Sequence, residues 1–227
     1  MNAIPTIITE RVDDIPLLLE QMQRMGLPTL FDDHFPTHGN WTGLSLGWVS
    51  TIWLRAMLSQ GDHRMVPVEP WVAKRLWTLG TTTGHMVTRV DGTEDRLASV
   101  RRRLRHAERW GAFASALNQH TVRVYALSTE RGPVESPSAT ASAPVSDGGL
   151  FQVGHSKDDR PDLPQVKGMQ AVLDPLGMPL ATDVVSGARA AAPLSMPCLE
   201  RVPARGGGTG CSRWATARWR RGRRAPG

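Results

Sequence analysis

The sequence predicts an α+β protein in which a helical N-terminal domain precedes a smaller domain built on β-strands. Apolar residues recur every three or four positions through the first half of the chain, as on the buried face of a helix. From Thr121 the apolar spacing changes to two, the period of a half-buried strand. Beyond Val202 there is no Leu, Ile, Val, Phe or Met, so this stretch cannot build a core. We therefore expect a helical domain over residues 1–119, an α/β domain over residues 120–203 and a disordered tail over residues 204–227.

Five helices are predicted in the N-terminal domain from capping residues and apolar periodicity. The first begins with an N-cap and first-turn pair, Asp14 and Pro16, and we expect Gly26 and Pro28 to end it. The second covers residues 44–58, whose broad apolar face needs other helices to cover it. The remaining three begin at Pro70, at Thr93 and at Glu108.

The strands of the second domain are predicted from alternation and from turn residues. Val122, Val124 and Ala126 alternate with polar residues, which indicates a strand starting at Thr121. Two further strand-like runs, residues 165–173 and 178–185, flank the sequence Asp-Pro-Leu-Gly. Proline and glycine occupy turn-compatible positions there, so these two runs predict a β-hairpin.

The net charge of +6 is concentrated in the tail and does not describe the body of the protein. The tail contains seven arginines and no acidic residue, whereas residues 1–204 carry 20 basic and 21 acidic side chains. The folded part is therefore nearly neutral, and its charge does not by itself argue for DNA binding. The tail uses residues with GC-rich codons, which favours translation in a shifted reading frame. Two tryptophans among its arginines, Trp214 and Trp219, also resemble a platform for single-stranded nucleic acid.

The composition gives no indication of membrane insertion or secretion. Residues 44–58 are the most apolar segment, but they include Ser50 and Arg55 and fall short of about 18 uninterrupted apolar residues. The first ten residues lack a basic region followed by an apolar one, so no signal peptide is predicted. Cys198 and Cys211 lack the spacing of a disulfide framework. We expect a cytoplasmic protein with no membrane partner.

The most specific sequence motif lies in the second domain. Residues 151–166 read FQVGHSKDDRPDLPQV, and residues 177–187 read GMPLATDVVSG. This pair resembles the early catalytic domain of DDE-type transposases of bacterial insertion sequences, over about residues 130–203. Upstream, residues 62–69 and 107–111 resemble the helical N-terminal domain found on a subset of that family. The resemblance implies a ribonuclease-H-like fold, here incomplete, and DNA transposition as the activity of an intact copy.

The chemistry implied by the resemblance requires three carboxylates. Phosphodiester cleavage and strand transfer proceed by in-line displacement, with two Mg²⁺ ions stabilising the entering and leaving oxygens. Hard cations prefer carboxylate oxygens. In the family the first Asp ends the first strand, the second ends a later strand, and a Glu lies far downstream. The first of these positions falls at Glu135 in this sequence, which is the candidate catalytic and metal-binding residue.

The sequence departs from the family pattern at each carboxylate. Glu135 is one methylene longer than Asp, and metal ligands must be held within about 0.5 Å. Pro133 removes a backbone donor from the same strand, and Pro137 replaces the threonine expected just after the acid. Beyond Arg201 there is no Asp or Glu to supply the later ligands. We therefore predict that this copy is inactive and binds no Mg²⁺, and we weigh a decayed position as the alternative reading of Glu135.

Two groups of basic residues are candidate DNA contacts. Arg101, Arg102, Arg103 and Arg105 would neutralise several phosphates if they share one surface, and Lys157 and Arg160 lie within the family motif. A solvated helix face and a solvated loop are the alternative readings. The seven histidines show no metal-ligand spacing with the cysteines.

Three functional hypotheses follow. The first is a transposase descendant whose intact form acts on the DNA ends of its element. The second is a surviving DNA-binding or dimerising module, whose partners would be element-end DNA, a second copy or intact transposase. The third is a pseudogene product with no function. The missing strands would leave an open sheet edge, which predicts aggregation.

Overall fold

The computed structural model describes residue 7 and residues 9–129, 132–141, 144–154, 160–173, 177–190, 195–202 and 214–216. The chain is mixed α+β, as the sequence predicts: eight α-helices and a small, mostly antiparallel sheet lie within these ranges. It divides into two compact units, residues 1–120 and residues 121–227, and the division falls within the last helix of the first unit.

The first unit is helical. Its α-helices are α1 (Ile15–Arg24), α2 (Leu27–His34), α3 (Leu46–Gln60), α4 (Val68–Ala73), α5 (Leu76–Thr83), α6 (Glu94–Leu104) and α7 (Ala107–Val124), with a 3-10 helix at Arg89–Gly92. One continuous apolar core holds them together, and α3 is its centre because most of its first eleven residues are buried. Leu97 and Val100 of α6 are fully buried in it.

Two helix boundaries in this unit differ from the prediction. Gly26 ends α1, as expected, but it adopts a left-handed φ of 70° and is also the N-cap of α2, which the sequence reading missed. The helix expected from Pro70 begins earlier, at Val68, and breaks after Ala73. α5 begins as a separate helix because the carboxylate of Glu10 accepts hydrogen bonds from two backbone N–H groups of its first turn. The donors are Trp77 and Thr78, at 3.0 and 2.7 Å. This cap is distant in sequence, so local periodicity does not reveal it.

The strand predicted from Thr121 is wrong, because residues 121–124 are the last turn of α7. The observed burial does not alternate as a strand would require: Val122 is buried, whereas Val124 is 53% exposed. The helix ends in a turn where Ala126 has a φ of 49°. Three alternating positions are a short pattern, and an 18-residue helix already under way adds a hydrogen bond with each further residue.

The second unit contains one sheet. Its strands are β1 (Gly132–Glu135), β2 (Ser138–Thr140), β3 (Gln165–Leu173), β4 (Met178–Ser186) and β5 (Trp214–Thr216), with α8 (Ser195–Glu200) before β5. The predicted hairpin is confirmed, because β3 and β4 pair antiparallel from Val166 opposite Ser186 to Leu173 opposite Met178. β1 also pairs antiparallel with β3, and β5 pairs parallel with β1.

The core of the second unit lies on one face of this sheet. Cys198 and Leu199 of α8 belong to the same apolar cluster as Val134, Met169 and Leu180. The Cys198 thiol is buried, which raises its pKa, and it donates a weak hydrogen bond to the Ala181 carbonyl. Within the described residues the sheet therefore has one face covered by a short helix.

The structure describes only three residues of the predicted disordered tail. Trp214–Thr216 form β5, so at these positions the prediction of a structureless tail does not hold. Strand pairing uses backbone groups, which every residue type except proline supplies in full, and so it needs no apolar side chain. The rest of the tail lies outside the described residues.

Candidate functional site

Glu135 occupies the last position of β1 and its side chain is exposed. β1 lies between β3 and β5, and Glu135 is the register partner of Gln170 on β3. Pro133 precedes the two residues that pair with β3, and in the parallel ladder it lies opposite Ala215 of β5, so β1 forms with the proline inside it. The strand thus tolerates the proline, and the predicted candidate stands at a strand end beside a parallel neighbour.

The donors around Glu135 do not fit a pair of Mg²⁺ ions. The strand that runs parallel to β1 has the sequence Trp-Ala-Thr and carries no carboxylate. Among the described carboxylates of this unit, Asp162 and Asp183 are engaged in ion pairs with Arg160 and Arg201. No group of three or more His, Cys, Asp or Glu side chains in the described ranges is placed to hold a metal ion. One carboxylate cannot position two cations, so no catalytic step through Mg²⁺ can be derived from these residues.

The arginines of α6 divide into two kinds. Arg101, Arg102 and Arg105 are exposed near the C-terminus of the helix, where positive charge interacts favourably with the helix dipole. Arg103 is half-buried instead, and it donates a 2.8 Å hydrogen bond to the carbonyl of Pro36. Three of the four predicted DNA contacts are thus available at one helix end, and the fourth holds a loop.

The other candidate basic residues lie in the second unit. Lys157 falls outside the described residues. Arg160 makes two hydrogen bonds to the carboxylate of Asp162, at 2.9 and 2.8 Å, and this contact raises the pKa of the guanidinium. The charge of Arg160 is therefore partly neutralised where it stands, which weakens it as a phosphate contact.

Sequence reasoning missed a buried cationic cluster in the helical unit. Arg55 of α3 is fully buried, and Arg75 at the start of α5 is 9% exposed. Both guanidinium groups lie over the ring of Trp71, at 4.6 and 4.9 Å from its centre. The signal was present in the sequence, because Arg55 interrupts the most apolar segment of the chain, and a charge at such a position needs a partner.

Carboxylates from the N-terminal segment supply those partners. Asp14 forms an ion pair with Arg55 and also accepts from the Ser59 hydroxyl. Asp13 lies 3.5 Å from Arg75. Burial is the main cause that lowers the pKa of Arg55, and the nearby charge of Arg75 adds to it, while Asp14 opposes both. The cluster is thus a set of neighbouring cations held by two consecutive acids.

Comparison of the chain with protein-family models, with curated proteins and with solved structures finds no significant match. None of the helices in the described ranges has the length and apolar character that a bilayer crossing demands.

Proposed function

We propose that the chain is a copy of a DDE-type insertion-sequence transposase whose second unit is an incomplete ribonuclease-H-like domain. An intact relative would cut and join DNA at the ends of its element with Mg²⁺. This copy is catalytically inactive, because its candidate site retains one carboxylate, Glu135, where the chemistry requires three.

The order of the strands supports the proposal. β1, β3 and β4 form an antiparallel meander with β3 in the middle, and after α8 the chain returns as β5 beside β1 and parallel to it. Parallel neighbours bring their carboxyl ends to the same edge of the sheet. This arrangement suits a site in which the first acid ends one strand and the second acid ends a later one, as the transposase resemblance implies.

The genetic code is compatible with β5 being read out of frame. Tryptophan has the single codon TGG, and alanine and threonine codons begin GC and AC. Reading from the third base of the Trp214 codon therefore gives GGC, a glycine, followed by a codon ending in AC, which encodes Asp, Asn, His or Tyr. In the same shifted frame, two codons finish on the second base of the Cys211 codon and of the Trp214 codon, and both therefore end in TG. Every codon that ends in TG encodes Leu, Met or Val. The shifted frame thus permits an apolar strand that ends in Gly-Asp.

The position of this restored acid agrees with the sheet. Its codon overlaps that of Thr216, which pairs with Val134 in the parallel register. A strand that keeps this register would bring the Asp to the level of Val134, next to Glu135 along β1. The first test is the nucleotide sequence of codons 205–227. An Asp codon at this position of the shifted frame, after an apolar run, supports a frameshifted transposase. An Asn, His or Tyr codon at this position, or a stop codon within the upstream run, contradicts it.

A cleavage assay tests the inactivity of this copy. Labelled element-end DNA is incubated with the full-length protein and Mg²⁺ or Mn²⁺, and we expect no specific nicking. Nicking that disappears in Glu135→Ala would show that the single carboxylate suffices and would overturn the proposal.

A second function is supported by the helical unit. It has an apolar core of its own, and it presents Arg101, Arg102 and Arg105 on one exposed helix end. We propose that it acts as a DNA-binding or dimerising module on element-end DNA, on a second copy or on intact transposase. Gel-shift titration against end DNA and random DNA at two salt concentrations tests it. Equal affinity for the two DNAs, together with a monomeric mass by light scattering, would remove this function.

A further inference from the structure

A cavity of about 380 Å³ opens beside the buried cationic cluster of the helical unit. The end of α3, the loop after it, α4 and the start of α5 form its wall. The residues of this pocket that carry polar side chains are Gln60, Asp62, Arg64, Trp71, Lys74 and Arg75. Neither Glu135 nor an arginine of α6 lines this pocket, and neither the cleavage chemistry nor the proposed helix-end contact uses it.

The pocket wall is positively charged. Three cations and one anion line it, and the anion, Asp62, is held by hydrogen bonds from the guanidinium of Arg64 that lower the pKa of the carboxyl to about 2. Lys74 is exposed on the wall, where its ammonium group can reach a ligand. Behind the wall, Arg55 adds a further buried positive charge over Trp71, while Asp14 and Asp13 neutralise part of the charge of Arg55 and Arg75. The cavity therefore favours an anion over a neutral ligand.

Two buried donors of the wall lack acceptors in the described part of the protein. The indole Nε1 of Trp71 and the Nε of Arg75 make no hydrogen bond, although both residues are more than nine-tenths buried. A buried donor without a partner destabilises the folded state. An acceptor group that enters the cavity would offset part of this destabilisation through a small shift of either side chain, and it would also approach the charge of Lys74.

We propose that this pocket binds a phosphate group. Phosphate combines negative charge with several acceptor oxygens, so it can take hydrogen bonds from an ammonium, a guanidinium and an indole N–H together. The phosphate group belongs either to a DNA backbone or to the free anion. The first case rests on the proposed DNA-related function, and the second does not.

The first arm of the test uses inorganic phosphate. Thermal unfolding of the full-length protein is measured in sodium phosphate and in sodium chloride at matched ionic strength. Wild type gains several degrees in Tm from phosphate. Lys74→Gln and Trp71→Phe lose most of that gain, because the first removes the exposed charge and the second removes the indole N–H while keeping an aromatic ring. Arg24→Gln, which removes an exposed cation of α1, keeps the full gain.

The second arm uses a labelled DNA duplex of random sequence, with affinity measured over a range of salt concentrations. Loss of one phosphate contact reduces the slope of log K against log salt by about one. We expect that reduction in Lys74→Gln and not in Arg24→Gln. Equal slopes in the three proteins would exclude the DNA backbone as the source.

The two arms separate the possible failures. A phosphate effect that Lys74→Gln loses, without any DNA binding, would refute the DNA-related function and leave the pocket as a site for free phosphate. A phosphate gain that Lys74→Gln keeps in full, with unchanged DNA slopes, is the general effect of a kosmotropic anion and would overturn the pocket proposal. No difference between phosphate and chloride, together with unchanged DNA slopes in Lys74→Gln, would overturn the pocket proposal even in a protein that binds DNA elsewhere.

Discussion

Arg55 and Asp14 form an ion pair in which the arginine side chain is fully buried and the aspartate is 41% exposed. The aspartate stands at the N-cap position of α1, yet its side chain makes no capping hydrogen bond there. It reaches α3 instead, where it meets both Arg55 and Ser59. The residue that begins α1 in the sequence therefore also fastens α1 to the central helix.

Asp14→Ala should destabilise the helical unit by about 2–3 kcal/mol, because it leaves a buried guanidinium without its counter-charge. Glu20→Ala is the matched control. It breaks the exposed pair between Arg24 and Glu20, and such pairs contribute less than about 0.5 kcal/mol. Urea unfolding followed by circular dichroism measures both. Similar midpoints for the two variants would mean that the ion pair of Arg55 adds no stability.

Glu10 should make the helical unit sensitive to acid. Burial tends to raise the pKa of Glu10, but hydrogen bonds from the N–H groups of Thr78 and Trp77 outweigh it and hold the pKa below its ordinary value of 4.5. A depressed pKa in the folded state means that the stabilisation is present above 4.5 and disappears as the pH falls through the lower folded value. Glu10→Gln should therefore flatten the stability profile in that acidic range.

The control for this prediction is Glu94→Gln, which removes a carboxylate from the first turn of α6. Thermal unfolding is recorded from neutral pH down to pH 3 for wild type and both variants. If Glu10→Gln and wild type have the same stability profile below pH 4.5, the cap of α5 does not depend on this carboxylate.

Gly47 should not accept a side chain. It lies where α3 crosses α2, and a Cβ atom there would overlap the carbonyl oxygen of Pro28. Gly47→Ala should cost about 3 kcal/mol, because two backbones must separate. Gly111→Ala in α7 meets no atom within 4 Å, and it should stabilise the unit by about 1 kcal/mol through helix propensity. Opposite shifts in Tm confirm the crossing, and a neutral Gly47→Ala contradicts it.

Gly187 should be equally restricted in the second unit. A Cβ atom there would overlap the carbonyl oxygens of Gln165 and Gln152, which exchange backbone hydrogen bonds with each other at 3.1 and 3.0 Å. Gly187→Ala should lower the hydrogen-exchange protection of the β3 amides, with Gly39→Ala, which meets nothing within 4 Å, as the control. Unchanged protection of β3 would show that residues 152 and 187 do not meet as described.

The local periodicity of the sequence determined most of the helices and the hairpin. Apolar side chains spaced by three or four positions bury one helix face wherever they occur, and the strand-like runs on either side of residues 174–177 predicted the pairing of β3 with β4. The same signals are weak at the ends of helices and strands, where only a few residues carry the pattern. Thr121 is the clearest case, since α7 continues through a stretch that alternates like a strand.

The candidate site divides in the same way. The resemblance implied that Glu135 ends a strand, as it does, and the residues alone show that no Asp or Glu follows Arg201. Contacts between distant segments could not be read from the sequence: the cap of Glu10 on α5, the pair of Asp14 with Arg55, and the pocket at Trp71 and Lys74. These depend on which surfaces the core brings together. Periodicity specifies which face of an element is buried, but only packing decides which polar side chains meet at its edges.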